Sequence, residues 1–160
     1  MAGARKMKIA VTLDDYAEQL DLGDELMGEA RMPIRAHSDD AGWDLFVSQT
    51  VVVPPHGFMD VPSGVSIQLP NGYWGMLTGR SSTIRKRGLL VVQGIIDTGY
   101  TGELFSAVWN LTDEEITLKR GERVAQLIIL PNATAQTVMV QAERLGETER
   151  GWAGFGSSGV

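Results

Sequence analysis

The stretch FMDVPSGVSIQLPNGYWGMLT, residues 58–78, contains the pattern that decides the fold. Two runs rich in β-branched and aromatic residues, 58–69 and 73–78, lie on either side of a Pro-Asn-Gly sequence at 70–72. Such runs are typical of β-strands, and Pro, Asn and Gly together are typical of a tight turn. The stretch therefore predicts two strands joined by a turn.

Similar runs recur along most of the chain. Further turn signals containing Pro or Gly occur at residues 54–57, 119–121 and 131–132. Further strands are predicted at residues 8–13, 43–53, 89–93, 104–110, 115–118, 123–130 and 134–141. Many short strands, with no long amphipathic helix between them, predict an all-β fold of the jelly-roll-like β-sandwich or distorted-barrel type.

One short helix is expected after the strand at 73–78. Ser81 is a favourable N-cap, and Gly88 follows the basic end of the run Ser81–Arg87. A serine at the start and a glycine just past the end are typical boundaries of one or two helical turns.

The length and composition fit one compact domain. The chain has 160 residues, of which 43% are hydrophobic and 21% charged, as expected for a single core. Residues 1–145 are predicted to form one β domain, in which the acidic segment 14–30 lacks strand alternation and could be a short helix or a surface loop. Residues 146–160 are rich in Gly and Ser, which predicts a flexible tail.

The composition also excludes several classes of function. The chain has no cysteine, so disulfides, thiol nucleophiles and thiolate metal sites are excluded. Its formal charge of −6 argues against nucleic-acid binding, which usually requires a basic face. No stretch approaches the ~20 apolar residues of a membrane span, and residues 1–13 lack the apolar run of a signal peptide. These features predict a soluble, cytoplasmic protein with no nucleic-acid or membrane partner.

The stretch Gly79-Arg80-Ser81-Ser82 places a guanidinium and two hydroxyls at the start of the predicted helix. Free backbone N–H groups at such a start attract anions, and arginine binds phosphate in a bidentate manner. The alternative is an ordinary capped helix with a surface arginine. The neighbouring basic triplet at 85–87 is interpreted as a solvated helix face.

The run GIIDTGYTGE, residues 94–103, combines a carboxylate with an aromatic ring on a glycine-rich turn. A carboxylate in a partly apolar site can orient and deprotonate water, so Asp97 is a candidate general base. The ring of Tyr100 can pack on a sugar or a base. The alternative is a hairpin loop in which Asp97 caps its own backbone, and Glu103 is interpreted as a structural or solvated charge.

Asp44 lies just inside a predicted strand, in the stretch AGWDL at 41–45. An inward-pointing carboxylate in a strand needs a partner. Because Mg²⁺ uses few carboxylates and keeps several waters, Asp44 is a candidate to hold the hydrated ion through water. The alternative is an aspartate at a strand edge that faces solvent.

The C-terminal stretch GFGSSG, residues 154–159, matches the dinucleotide-binding pattern G-x-G-x-x-G. That function is rejected, because no βαβ unit surrounds the stretch. Arg150, Phe155, Ser157 and Ser158 could instead fold over a nucleotide as a lid, with plain disorder as the alternative. The two histidines lack the spacing of a zinc site.

In order and spacing, these motifs resemble the five motifs of the trimeric dUTPase (dUTP diphosphatase) family. The resemblance extends over residues 33–159. The matching stretches are AGWDL at 41–45, GRSS at 79–82, GIIDTGYTGE at 94–103, GERVAQL at 121–127 and RGWAGFGSS at 150–158.

The resemblance implies an enzyme that hydrolyses dUTP to dUMP and pyrophosphate with Mg²⁺, which limits uracil in DNA and supplies dUMP for dTMP synthesis. It also implies a homotrimer in which each active site draws motifs from all three chains. In such a site, Asp97 positions the water that attacks the α-phosphorus, and Tyr100 packs under the deoxyribose and excludes a 2′-hydroxyl. Backbone groups around Gly94 and Ile95 recognise uracil.

The resemblance assigns the remaining site residues to the phosphates, the metal and the lid. Asp44 anchors waters of the Mg²⁺ that chelates the triphosphate, and Phe155 stacks on the uracil. The phosphate ligands are Arg80, Ser81, Ser82 and Gln126, and the lid residues are Arg150, Phe155, Ser157 and Ser158. Three features depart from the family pattern: Ala153 stands where the family usually has glycine, the bulky Trp152 precedes it, and the segment 14–30 looks like an insertion, whose role is unknown.

Two other functions were weighed. A dCTP deaminase has a similar fold and a similar Arg-Ser-Ser-x-x-Arg run, present here at 80–85. Its general acid/base is a glutamate ten residues after the turn aspartate, a position that Ala107 occupies in this chain. The second alternative is a regulatory protein that resembles a dUTPase and binds nucleotide without turnover, with an unidentified protein partner for the segment 14–30.

Overall fold

The computed structural model of the chain describes residues 7–14, 30–151 and 153. The predicted insertion, apart from its two end residues, and the lid residues Phe155, Ser157 and Ser158 lie outside this part. The described chain forms ten strands and one α-helix. The strands are β1 (Ala10–Leu13), β2 (Gly42–Phe46), β3 (Val51–Val53), β4 (Phe58–Gln68), β5 (Tyr73–Gly79), β6 (Leu89–Val91), β7 (Gly94–Ile96), β8 (Glu103–Asn110), β9 (Ile116–Leu118) and β10 (Arg123–Pro131); the helix is α1 (Ser81–Arg87).

The strands form two four-stranded sheets and one two-stranded sheet. The first has the order β1-β4-β8-β6, the second β2-β10-β5-β7, and β3 pairs with β9. The paired strands are antiparallel throughout. Consecutive strands such as β4 and β5 belong to different sheets, which is the topology of a sandwich. The all-β, jelly-roll-like prediction is confirmed.

The core lies between the two large sheets. Strand β8 shows why: Leu104 and Val108 are buried, whereas Phe105 and Trp109 face outward, as the two-residue side-chain period of a strand requires. Asn110 is also fully buried. Its side-chain amide donates hydrogen bonds to two backbone carbonyls, so burial of this polar group is compensated.

Two predicted strands differ from the structure. The run at 43–53 forms two strands, because Val47 and Ser48 hydrogen-bond to Glu122 and Pro62 and lead the chain out of the β2 sheet. The strand predicted at 134–141 is wrong: a 3-10 turn occupies Thr134–Gln136, and the following residues are exposed coil. An apolar run cannot form a strand without a neighbouring strand to pair with.

The helix is placed correctly, but its N-cap is Arg80 and not Ser81. Arg80 has extended backbone angles (φ −76°, ψ 152°), and no side chain caps the helix N-terminus. Gly88 ends the helix in the left-handed conformation (φ 64°), as predicted from its position. No helix in the described residues is long and apolar enough to cross a membrane.

Candidate functional site

Arg80 lies where β5 ends and α1 begins, and the fold fixes its side chain at this junction. Its backbone N–H donates to the Val124 carbonyl at 3.2 Å. Its guanidinium Nε donates to Oδ1 of Asp44 at 2.8 Å. The side chain is 28% exposed, so it is held on one side and open to solvent on the other.

Asp44 is a buried carboxylate shared by two arginines. Oδ1 accepts from Arg80, and Oδ2 accepts from Nη1 of Arg123 at 3.1 Å. The three residues come from different segments, which the adjacent strands β2, β10 and β5 bring together. The predicted alternative for Asp44, a solvent-facing strand aspartate, is wrong, because this residue is only 7% exposed.

The Asp44 cluster, defined here as Asp44, Arg80 and Arg123, has an excess of positive charge. Two guanidiniums share one carboxylate, and both guanidiniums remain about a third exposed. A local cationic excess on an acidic chain is a suitable place to bind a polyanion such as phosphate. Sequence analysis did not single out Arg123. Its position inside the stretch GERVAQL was the available signal.

Gln126 lies beside this cluster on β10, where it is the register partner of Asp44 on β2 and of Thr78 on β5. Its Nε2 donates to the Gly79 carbonyl at 3.0 Å. A Cβ at Gly42 would lie 2.2 Å from the Gln126 side-chain oxygen. Glycine at position 42 therefore leaves the space that this side chain occupies.

Removal of the shared carboxylate should destabilise the protein. We expect Asp44→Ala to lower the free energy of unfolding by about 2 kcal/mol, less than for a fully buried pair because both guanidiniums are partly solvated. Asp113→Asn is the control, because Asp113 forms an exposed pair with His56, and such pairs contribute little. Urea unfolding at one protein concentration measures both variants. Equal losses in the two would show that the Asp44 cluster has no special role in stability.

The turn between β7 and β8 carries Asp97 and Tyr100, and both residues are exposed. The Tyr100 N–H donates to the Asp97 carbonyl at 3.0 Å, and the Tyr100 hydroxyl donates to the Glu103 carbonyl at 2.7 Å. A Cβ at Gly102 would lie 2.8 Å from the Tyr100 hydroxyl oxygen. The ring is therefore fixed along the same turn that carries Asp97.

Gly94 and Ile95 belong to β7, the terminal strand of the second sheet. One side of β7 pairs with β5, with Gly94 opposite Leu77 and Ile95 opposite Met76. The terminal strand of a sheet has a second row of backbone N–H and C=O groups that face outward. These groups alternate donors and acceptors, which suits the edge of a planar base.

The Asp44 cluster and the Asp97 turn lie at opposite ends of β5 in one chain. The Thr98 hydroxyl, next to Asp97, donates to the carbonyl of Tyr73, the first residue of β5. Arg80 follows the last residue of the same strand. Because Ile96 is opposite Gly75, Asp97 lies level with Trp74, six residues before Arg80, and at about 3.3 Å per residue this separation is about 20 Å. This separation exceeds the distance from the sugar of a nucleotide to its terminal phosphate.

The other predicted site residues fall into two groups. Ser81 and Ser82 lie in the first turn of α1, beside Arg80. Arg150 is exposed near the C-terminus, where its Nε donates to the Ala153 carbonyl at 3.2 Å. This arrangement places the two serines next to Arg80 of the Asp44 cluster.

The residues near Asp44 fit a hydrated cation only together with the anionic substrate that it chelates, because the Asp44 cluster itself has an excess of positive charge. The described ranges contain no group of three or more His, Cys, Asp or Glu residues that could enclose a metal ion. Mg²⁺ does not require such a group, because it keeps several waters and is often bound by one or two carboxylates together with substrate phosphates. A carboxylate has about four lone-pair positions, so Asp44 retains acceptor capacity for water beside its two arginines.

Comparisons with known proteins point to one family. The dUTPase family model matches residues 28–159. Deoxyuridine 5'-triphosphate nucleotidohydrolases of Paramecium bursaria Chlorella virus 1 and Leifsonia xyli subsp. xyli are 38% and 42% identical over 136 and 133 residues. These matches cover 85% and 81% of this chain, and 95% and 86% of the two relatives.

Solved structures give the same result. The dUTPase of Staphylococcus bacteriophage 80alpha, in complex with dUpNHpp, superimposes with a TM-score of 0.80 at 32% identity, covering 97% of this chain and 100% of that one. A variant dUTPase from phage phi11 of S. aureus, whose structure describes the coordination of a structural Mg(II) ion, gives a TM-score of 0.65 at 27% identity, covering 89% of this chain and 97% of that one.

Proposed function

This chain belongs to the dUTPase family of hydrolases that act on dUTP, and from that premise we propose that it converts dUTP to dUMP and pyrophosphate by Mg²⁺-assisted attack of water on the α-phosphate. The observation that carries the proposal is that β7 continues directly into the turn with Asp97 and Tyr100. The chain therefore places a backbone edge of the size of a base next to a residue with a carboxylate and a residue with an aromatic ring. The reaction would limit uracil in DNA and supply dUMP for dTMP synthesis.

The nucleoside half of the proposed site is formed by β7 and the turn that follows it. Backbone groups of Gly94 and Ile95 hydrogen-bond to uracil, and cytosine is rejected because its donors and acceptors are exchanged. The Tyr100 ring packs under the deoxyribose and leaves no space for a 2′-hydroxyl. Asp97 accepts a proton from the water that attacks the α-phosphorus.

The phosphate half is formed by the Asp44 cluster and the start of α1. Arg80, Ser81, Ser82 and Gln126 bind phosphate oxygens. Asp44 orients the Arg80 guanidinium, so the arginine is held in place before substrate arrives. Phosphoryl transfer depends mainly on positioning and charge neutralisation, which is what this arrangement supplies.

Magnesium is the proposed cofactor. When bound to the triphosphate, Mg²⁺ neutralises part of the substrate charge and polarises the phosphoryl group. Asp44 is the residue that would hold a water of the hydrated ion. The structural Mg(II) ion described for the phi11 dUTPase supports binding of this metal by a member of the family.

The C-terminal tail is proposed to close over the bound nucleotide. Arg150 and the serines Ser157 and Ser158 would bind phosphate, and Phe155 would stack on the uracil. Tail closure would exclude water other than the attacking molecule. The glycine-rich sequence of residues 146–160 supports the proposal that the tail can close.

A homotrimer with shared sites follows from the proposed chemistry. Since Asp97 and Arg80 are about 20 Å apart along β5 of one chain, both can act on one nucleotide only if they come from different chains. The outer face of β4 and β8 supports association, because Phe58 and Trp109 stack there with centroids 5.8 Å apart and remain about half exposed. Exposed apolar patches of this kind mark interaction surfaces.

The proposed function predicts a narrow substrate range. With Mg²⁺, we expect pyrophosphate release from dUTP and at least about 100-fold lower kcat/KM for dCTP, dTTP and UTP, because each leaves buried polar groups unpaired or clashes with the site. Steady-state kinetics on the four nucleotides in parallel measures this. Turnover of dCTP would contradict recognition by β7, turnover of UTP would contradict the sugar filter of Tyr100, and binding of dUTP without turnover would favour a regulatory protein.

A further inference from the structure

The turn that carries Asp97 and Tyr100 connects two different sheets. It leaves the second sheet after Ile96 of β7 and enters the first sheet at Glu103 of β8. Strand β7 has only three residues, and its last register pair is Ile96 with Gly75. The backbone ladder therefore ends immediately before Asp97, and other contacts must fix the turn.

Thr98 supplies such a contact at the Asp97 end of the turn. Its hydroxyl donates to the Tyr73 carbonyl at 2.6 Å, and the bond is partly buried. It joins the turn to the first residue of β5, two residues before the last pair of the β5-β7 ladder. This side-chain bond therefore attaches the turn to the second sheet at a point where the backbone ladder has already ended.

Glu103 supplies the contact at the Tyr100 end. Its Oε1 accepts from the Gly64 N–H at 2.7 Å, in the bulge of β4. Its carbonyl accepts from the Tyr100 hydroxyl. The two ends of the turn are therefore held independently, the Asp97 end on the second sheet and the Tyr100 end on the first.

We propose that Thr98 is a positioning residue, whose hydrogen bond to the Tyr73 carbonyl fixes the direction of the adjacent Asp97 carboxylate. The inference rests on the proposed function of Asp97. Thr98 would not touch the nucleotide. Since β7 and the Tyr100 contacts do not depend on the hydroxyl of Thr98, its loss should change the chemical step more than the binding of substrate.

The test compares three substitutions. Thr98→Val keeps the shape of the side chain and removes the hydroxyl, whereas Thr98→Ser keeps the hydroxyl. Thr117→Val is the matched control, because Thr117 is exposed on β9 of the separate two-stranded sheet. Each full-length variant is assayed for kcat and KM with dUTP and Mg²⁺, for the Kd of dUMP by calorimetry, and for Tm.

We expect Thr98→Val to lower kcat by about 10- to 100-fold, the range in which a displacement near 1 Å affects an aligned group. The KM for dUTP, the Kd of dUMP and the Tm should stay close to those of the wild type. Thr98→Ser should restore most of kcat, and Thr117→Val should match the wild type. Wild-type kcat in Thr98→Val, or an equal loss in Thr98→Ser, would overturn the inference.

A second measurement separates this inference from the proposed function. Amide hydrogen exchange over residues 97–102 should be faster in Thr98→Val than in wild type and in Thr98→Ser, whether or not dUTP is hydrolysed. Unchanged exchange in Thr98→Val would refute the anchoring role. A wild-type protein that does not hydrolyse dUTP, with the expected exchange pattern, would refute the proposed function and leave the anchor intact.

Discussion

Replacement of Asp97 with asparagine is expected to lower kcat for dUTP hydrolysis by about 10³-fold, within the range for loss of a general base. Asparagine has nearly the same shape and can still hydrogen-bond to water, but it cannot accept the proton. The substitution should not affect folding, because Asp97 is exposed on its turn. Pyrophosphate release under saturating dUTP and Mg²⁺ measures the effect.

Two comparisons make this expectation specific. The Kd of dUMP should change little in Asp97→Asn, because the proposed site binds uracil and sugar through β7 and Tyr100. Asp113→Asn should keep wild-type kcat, because Asp113 is exposed and pairs only at the surface with His56. If Asp97→Asn lowers kcat by less than about tenfold, another group acts as the general base.

Mixing two inactive variants is expected to restore activity. Arg80→Gln should be inactive because it removes the guanidinium proposed to bind phosphate, and Asp97→Asn because it removes the proposed base. If each site takes Asp97 from one chain and Arg80 from another, random trimers from an equimolar mixture contain about a quarter of intact sites. Starting from two variants with almost no turnover, the mixture should gain more than about 100-fold in activity.

The measurement requires exchange of chains between trimers. The two variants are unfolded together in urea, refolded by dilution and assayed for pyrophosphate release, with each variant refolded alone as the control. Sedimentation should show one trimeric species in each sample. If the mixture forms trimers but gains no activity, Asp97 and Arg80 act from the same chain in spite of their separation along β5. A monomer would contradict the shared site altogether.

The excess positive charge of the Asp44 cluster explains how an acidic chain can have a polyanion as its proposed substrate. The chain carries a formal charge of −6, yet its proposed substrate is a polyanion. Arg80 and Arg123 converge on one buried carboxylate, so the field at this point is positive although the average is not. Net charge describes solubility and non-specific binding, and it does not predict the charge of one site.

Local sequence patterns predicted the elements that depend on near neighbours. Alternating residues such as Leu104, Phe105 and Val108 determine which face of β8 is buried, because side chains of a strand alternate regardless of what lies further along the chain. Gly88 ends α1 because a left-handed residue is needed there. The apolar residues after Thr134 could not be interpreted in this way, since a strand also requires a partner.

Contacts between distant residues could not be predicted. Asp44 pairs with Arg80 and Arg123, which are 36 and 79 residues away. The sequence indicates Asp44 as a metal-associated residue, and nothing in the spacing points to Arg123 as its partner. Spacing along the chain gives no information on which charged side chains meet, because the strand order β2-β10-β5 decides it.

The sequence by itself determined the all-β class, the short helix, the family and the residues that stand in its motifs, because these depend on local period, turn chemistry and order along the chain. Only the tertiary structure decided that Asp44 holds two arginines, that Thr98 anchors the Asp97 turn, and that Asp97 and Arg80 lie at opposite ends of one strand. Those facts depend on which strands become neighbours and in which register, and this is settled by burial of the core between the sheets.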